Sequence, residues 1–108
     1  MKSEEELIEV AMTIIIHAGD GRVKGYEAIE FARNGHFDQA KEALKEAHDE
    51  IVKAHRSQTN VIQAEMGGEK HEHSLLFAHA QDTLMTIASE VKLMSIFVEL
   101  FEKMSHQS

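Results

Sequence analysis

Five polar side chains that share one face interrupt the most apolar third of this 108-residue sequence. At about 100° per residue along a helix, that face carries His79, Asp82, Thr83, Thr86 and Glu90. A histidine ring nitrogen can serve as a nucleophile near neutral pH. A carboxylate on a buried helix face is costly unless it is paired, protonated or bound to a cation. The structural alternatives are a core or interface histidine that donates to Asp82 or to a backbone carbonyl, and a surface salt bridge of Asp82 at the wet end of the bundle.

The other histidines suggest an alternative, a metal site. The sequence has eight histidines, of which His48 and His55 lie on one face of a predicted helix, while His71 and His73 fall in a polar stretch where they could bind a transition metal. A His-rich metal-binding bundle therefore stays open as an alternative. No acidic residue stands three positions before a histidine, which argues against the Glu-x-x-His pattern of di-iron bundles.

Composition excludes several classes of function. The sequence contains no cysteine, so disulfide scaffolds, Cys-ligated zinc, iron–sulfur clusters and thiol nucleophiles are excluded. The formal net charge of −8 argues against unaided binding to nucleic acid or to anionic lipid. No uncharged apolar run approaches the roughly 20 residues of a membrane span, and the acidic N-terminus does not resemble a signal peptide. We expect a single cytoplasmic domain over residues 1–108.

The elements that must position these residues are three long helices. Asn34-Gly35 and Gly67-Gly68 are the two main breaks, and they predict helices over about 3–33, 37–66 and 74–104. Residues 3–6 form a capping box at the first helix. Gly19 and Gly21 weaken that helix, which we expect to be continuous, with a break near 19–21 as the alternative. The second helix has a seam at Phe37, Ala40, Leu44, Ala47, Ile51, Ala54, Gln58 and Val61.

The third helix is apolar around nearly its whole circumference. A helix of that kind is buried on every side, and two partner helices from a chain of this length cannot surround it. We therefore predict that the chain self-associates through this helix. The alternative is a fourth helix that folds back from the first segment at Gly19–Gly25.

Three motifs, in order along the chain, carry a resemblance to a known family. Residues 75–86 read LLFAHAQDTLMT, residues 17–22 read HAGDGR, and residues 54–63 read AHRSQTNVIQ. Together they resemble the signatures of the lactose/cellobiose-type IIA components of the bacterial sugar phosphotransferase system. The resemblance covers essentially the whole chain, and the expected helix lengths agree with it.

The resemblance implies an all-α fold, an antiparallel three-helix bundle that forms a homotrimer by packing its third helices around a threefold axis. It implies that His79 is phosphorylated on Nε2 by the phosphohistidine of the general carrier HPr. The acceptor would be a cysteine of a IIB component, which in turn phosphorylates a disaccharide that enters through the membrane IIC component. Asp82 matches the family aspartate that binds a divalent cation, one copy from each subunit. Oxygen ligands suit a hard metal such as Mg²⁺, which would be structural.

The sequence departs from the family pattern at two positions. Thr83 replaces a histidine that often follows the aspartate, and Gly21 replaces an alanine. Neither departure affects the proposed nucleophile, and we assign no firm role to Gln81 or Thr83. A different function, a non-catalytic oligomeric helical adaptor, would use His79 and Asp82 only as a polar pair that sets the register of the helices.

Overall fold

The computed structural model describes residues 4–68 and 74–106, apart from the side chains of Glu65 and Met66. It contains three helices, α1 Glu4–Arg33, α2 Phe37–Met66 and α3 Leu75–Ser105, and no strand within those ranges. The bundle measures 59 × 20 × 18 Å. The predicted all-α class and the three helix ranges are confirmed. Ser3 of the capping box and the pair His71 and His73 lie outside the described residues.

Short local signals end and begin the helices where the sequence predicts. Gly35 adopts a φ of +80°, and the amide of His36 donates to the carbonyl of Phe31 at 2.9 Å, which closes α1 in the way glycine favours. Ser74 caps α3, because its hydroxyl accepts from the amide of Phe77 at 3.0 Å. The turn at Gly35 reverses the chain between α1 and α2. The cap at Ser74 defines the first turn of α3, the helix that carries His79.

Ion pairs between helices show the topology. His17 and Lys24 of α1 pair with Glu50 and Glu46 of α2, in opposite chain order. Lys41, near the start of α2, pairs with Glu102, near the end of α3. Neighbours along the chain are therefore antiparallel, as the resemblance implies. No helix among residues 4–68 and 74–106 is long and apolar enough to cross a membrane.

Small side chains let α1 pack closely against both other helices. The predicted seam of α2 is buried at Ala40, Ala47, Ile51, Ala54 and Val61, while Phe37, Leu44 and Gln58 are half-buried. Helices α2 and α3 contact each other much less than either contacts α1. An open groove of about 690 Å³ consequently lies between α2 and α3.

Helix α1 runs without interruption through Gly19 and Gly21, so the alternative of a break there is wrong. A methyl group at Gly21 would lie 3.2 Å from the carbonyl oxygen of Ala47, and one at Gly25 would collide with the sulfur of Met94. These two glycines allow close approach to α2 and α3 respectively. Gly19 differs from both, since nothing lies within 4 Å of the position its Cβ would occupy.

We expect Gly19→Ala to stabilise the protein by about 0.5–1 kcal/mol, because alanine restricts the unfolded chain and costs nothing in packing here. The melting temperature should rise by about 4 °C in a thermal scan followed by circular dichroism. Gly25→Ala is the matched comparison and should lower the melting temperature. A decrease for Gly19→Ala would contradict the packing described here.

Within one chain, α3 is buried on one side only, so the prediction of burial around its whole circumference is not met by the chain's own helices. Residues of the buried side include Leu84, Ile87 and Met94. The opposite side exposes Leu93, Ile96, Phe97, Leu100 and Met104, each at between 48% and 63%. A fourth helix would have covered this side, but α1 does not fold back and no fourth helix occurs in the described chain. That alternative is wrong.

Candidate functional site

His79 is the fifth residue of α3, close to the end that Ser74 caps. Its side chain is exposed. It forms no hydrogen bond or ion pair within residues 4–68 and 74–106. Within one chain His79 is therefore not a core histidine that donates to Asp82 or to a carbonyl, so that part of the alternative is wrong, while an interface histidine stays an alternative. The imidazole is free to meet another molecule.

Asp82 lies three residues further along α3, which places its side chain beside that of His79 on the helix surface. It is also exposed, and it has no ion pair in the part of the chain that the structure describes. The surface salt bridge considered for Asp82 is thus wrong. Both side chains line one open cavity of about 560 Å³, together with Leu75, Leu76 and Ala78.

Of the other polar residues predicted for this face, Glu90 has a structural partner. The guanidinium of Arg22 donates to it twice, at 2.9 and 2.8 Å, and this pair joins α1 to α3. The hydrogen bonds to Glu90 raise the pKa of Arg22 above its ordinary value. Thr86 is exposed, Gln81 and Thr83 are half-buried, and none of the three lines the cavity.

The cavity suits a group-transfer reaction in which the protein positions the reacting groups and needs few additional catalytic residues. Its described lining consists of one free imidazole, the carboxylate of Asp82 and three apolar side chains, and it includes no lysine or arginine. Phosphoryl transfer proceeds through a loose transition state, for which the protein mainly positions the two reacting groups. The helix dipole would also stabilise a phosphoryl group near the start of α3, by about 0.3–1 kcal/mol.

A second cluster of ligand-type side chains joins α1 to α2. His17, Asp20 and Glu50 can each offer one atom so that all three atoms lie within 4.8 Å of one another. Nδ1 of His17 is 2.7 Å from Oε2 of Glu50, and Lys53 donates to Oε1 of Glu50 at 3.1 Å. The hydrogen bond from His17, joined by that from Lys53, outweighs partial burial and holds the pKa of Glu50 below its usual range.

Sequence reasoning did not identify this cluster. The only sequence signal for the cluster is the spacing of His17 and Asp20, which places both on one face of α1. Glu50 is 33 positions from His17, and nothing local relates the two residues.

The histidines of the predicted metal-binding alternative are not brought together. His48 and His55 are both exposed and line the groove between α2 and α3, with Arg56 and Lys92 also in its lining. Neither belongs to a group of three ligands within the described ranges. His71 and His73 lie outside those ranges.

Comparison with protein families shows a match over residues 9–102 to the model described as "PTS system, Lactose/Cellobiose specific IIA subunit". The lichenan-specific phosphotransferase enzyme IIA component of Bacillus subtilis (strain 168) is 42% identical over 103 residues. That alignment covers 95% of this chain and 94% of the relative.

Solved structures agree over the same length. The PTS cellobiose-specific enzyme IIA from Bacillus anthracis superposes with a TM-score of 0.89 and 35% identity, covering 100% of this chain and 97% of that one. The IIA(Chitobiose)–HPr complex of the Escherichia coli phosphotransferase system matches with a TM-score of 0.82 and 36% identity, covering 93% and 97%.

Proposed function

Because this chain belongs to the lactose/cellobiose-specific IIA subunits of the sugar phosphotransferase system, we propose that His79 carries a phosphoryl group between phospho-HPr and a IIB component. The observation that supports the assignment most is the position of His79. It is an exposed imidazole without an intramolecular partner, and it lines an open cavity at the start of α3.

The proposed relay consists of two in-line transfers. In the first, the N–P bond of the phosphohistidine of HPr breaks as Nε2 of His79 forms its own N–P bond. In the second, that bond breaks and the phosphoryl group passes to a cysteine thiolate of IIB. A histidine suits both steps because the same ring nitrogen acts first as nucleophile and then as leaving group.

Two features support HPr and IIB as partners. The matching Escherichia coli structure is a complex of a IIA protein with HPr, and the matching family model describes a IIA subunit of a PTS system specific for lactose or cellobiose. The proposed relay runs in the cytoplasm and ends at a membrane IIC component that imports a disaccharide of the lactose/cellobiose type. The membrane component largely selects that sugar, so the IIA chain does not define it.

We also propose that the working form is a homotrimer in which the third helices meet around a threefold axis. The exposed apolar side of α3 supports this trimer. It continues the face of His79 and Asp82 along the helix through Leu93 and Phe97 to Met104. An exposed apolar face of this extent is typical of an interaction surface. Ile8, Met12 and Ile16 add an exposed apolar row on α1.

In that trimer, Asp82 is the proposed ligand of a divalent cation, one carboxylate from each chain. Asp82 fits the role because its carboxylate is exposed and has no cationic partner among residues 4–68 and 74–106. Among the described residues it also belongs to no three-ligand group, and in the proposed trimer the other two chains would supply further carboxylates. A hard cation such as Mg²⁺, which prefers oxygen ligands, would offset the repulsion of three converging carboxylates. Its role would be structural.

We expect Asp82→Leu to remain a trimer and to lose its sensitivity to chelators, because leucine removes the repulsion that the cation offsets. EDTA should lower the melting temperature of the unchanged protein by about 5 °C and that of the variant by less than about 1 °C. Thermal scans with and without EDTA, combined with light scattering, measure both effects. A variant that fails to fold even with Mg²⁺ present would count against this role.

The test of the function is a reconstituted relay. The chain is incubated with phosphoenolpyruvate, the first enzyme of the system and HPr, and acid-labile phosphate on the chain is then measured. Addition of a matching IIB component should discharge it. The adaptor alternative predicts an oligomer that never takes up phosphate, so a complete reaction mixture without label would favour the adaptor.

A further inference from the structure

We propose that His17, Asp20 and Glu50 form a zinc site that joins α1 to α2 on each chain. The cluster is separate from the His79 cavity, which none of the three residues lines, and it has no part in the proposed relay. Its donors are one imidazole nitrogen and two carboxylate oxygens, a set that zinc accepts in proteins.

The distances are compatible with zinc. One ligand atom from each residue lies within 4.8 Å of the other two, and tetrahedral zinc with bonds of about 2.0–2.2 Å needs donors about 3.4 Å apart. Nδ1 of His17 and Oε2 of Glu50 are now 2.7 Å apart and would separate to this spacing, while Asp20 would move closer to both. Small side-chain rotations can supply these changes, because His17 and Glu50 are only partly buried and Asp20 is exposed. The exposure of Asp20 also leaves room for a water molecule as the fourth ligand.

The two carboxylates of the cluster favour a bound cation, because the present hydrogen bonds do not give both of them a partner. His17 and Lys53 both contact Glu50, whereas the carboxylate of Asp20 has no hydrogen bond or ion pair in the described part of the chain. A divalent ion would give Asp20 a partner and would neutralise both carboxylates. Lys53 can stay on Oε1 of Glu50, since the atom that faces His17 is Oε2.

Zinc bound here would stabilise the folded chain, because its ligands come from two helices that separate on unfolding. We expect one zinc ion per chain, and a rise in melting temperature of about 5 °C when free zinc is about tenfold above its dissociation constant. The stoichiometry separates this site from the proposed Asp82 site, which binds one ion per three chains.

The experiment is isothermal titration with zinc chloride, in a background of His71→Ala and His73→Ala that removes the two histidines of the polar stretch. In that background, Asp20→Asn is the decisive variant, since it retains the pair of His17 and Glu50. Zinc affinity should decrease at least tenfold, while the metal-free melting temperature stays unchanged. His55→Ala, which removes another exposed histidine, is the matched control and should bind zinc as tightly as the background.

Three outcomes would overturn the proposal. The first is unchanged zinc affinity in Asp20→Asn, which would mean that the cluster is only an ion pair. The second is an equal loss of affinity in His55→Ala, which would mean adventitious binding by surface histidines. The third is the absence of any one-per-chain event in the background protein. None of these results would affect the relay, because phosphate uptake by His79 is measured separately.

Discussion

Replacing His79 by alanine is expected to abolish phosphate uptake from phospho-HPr, with a loss of at least about a thousandfold in the rate of labelling. The reason is chemical, since the ring nitrogen is the atom that forms the new N–P bond. Among the described residues the cavity around His79 is lined otherwise by Leu75, Leu76, Ala78 and Asp82, and none of these offers a second imidazole. Acid-labile phosphate and intact-mass spectrometry measure the effect.

The control for this variant is His55→Ala. His55 is exposed like His79 but lines the groove between α2 and α3, so this variant should take up phosphate at the unchanged rate. His79→Ala should also retain its melting temperature, because an exposed side chain without intramolecular hydrogen bonds contributes little to stability. Full labelling of a folded His79→Ala protein would end the proposed function.

Phe97→Asp is expected to convert the proposed trimer into a monomer. Phe97 stands 18 residues after His79 on the same face of α3, which is five helical turns, and it is 50% exposed in one chain. If three copies of this face meet at an axis, the substitution places three unpaired carboxylates together in an apolar contact. The cost is several kcal/mol per buried charge, and it acts directly against association of the three chains. Light scattering coupled to size exclusion measures the change.

Ser95→Asp serves as the control for the trimer experiment. Ser95 is exposed on the same helix but lies about 160° away from the His79 face, so a charge there should leave the oligomer intact. The proposal fails if the unchanged protein is a monomer, or if Phe97→Asp remains a trimer. Dissociation by Ser95→Asp as well would show that the contact involves a different side of α3.

Much of the fold could be predicted because its signals are local. The breaks at Asn34-Gly35 and at Gly67-Gly68 predicted helix ends to within one or two residues of those observed. Apolar spacing predicted the buried seam of α2, and small residues dominate that seam. The continuity of α1 depends on packing as well, since Gly19 and Gly21 lower its helix propensity and only the packed structure shows what a side chain at Gly21 would meet.

The candidate site was predictable for a similar reason. His79 and Asp82 are three residues apart on one helix, and such a spacing defines a shared face whatever surrounds the helix. Their exposure was not predictable. The apolar composition of α3 predicted burial on all sides, but the chain's other two helices cover one side only.

The sequence alone therefore determined the three helices, the face that carries His79 and Asp82, and the family motifs that interpret it. Only the tertiary structure decided which distant side chains meet, such as Glu50 with His17, or Glu90 with Arg22. The physical reason is that contacts within a helix follow from a fixed rotation per residue. Contacts between helices depend on the axial register, which is set by how closely the alanine and glycine positions of α1 and α2 pack together.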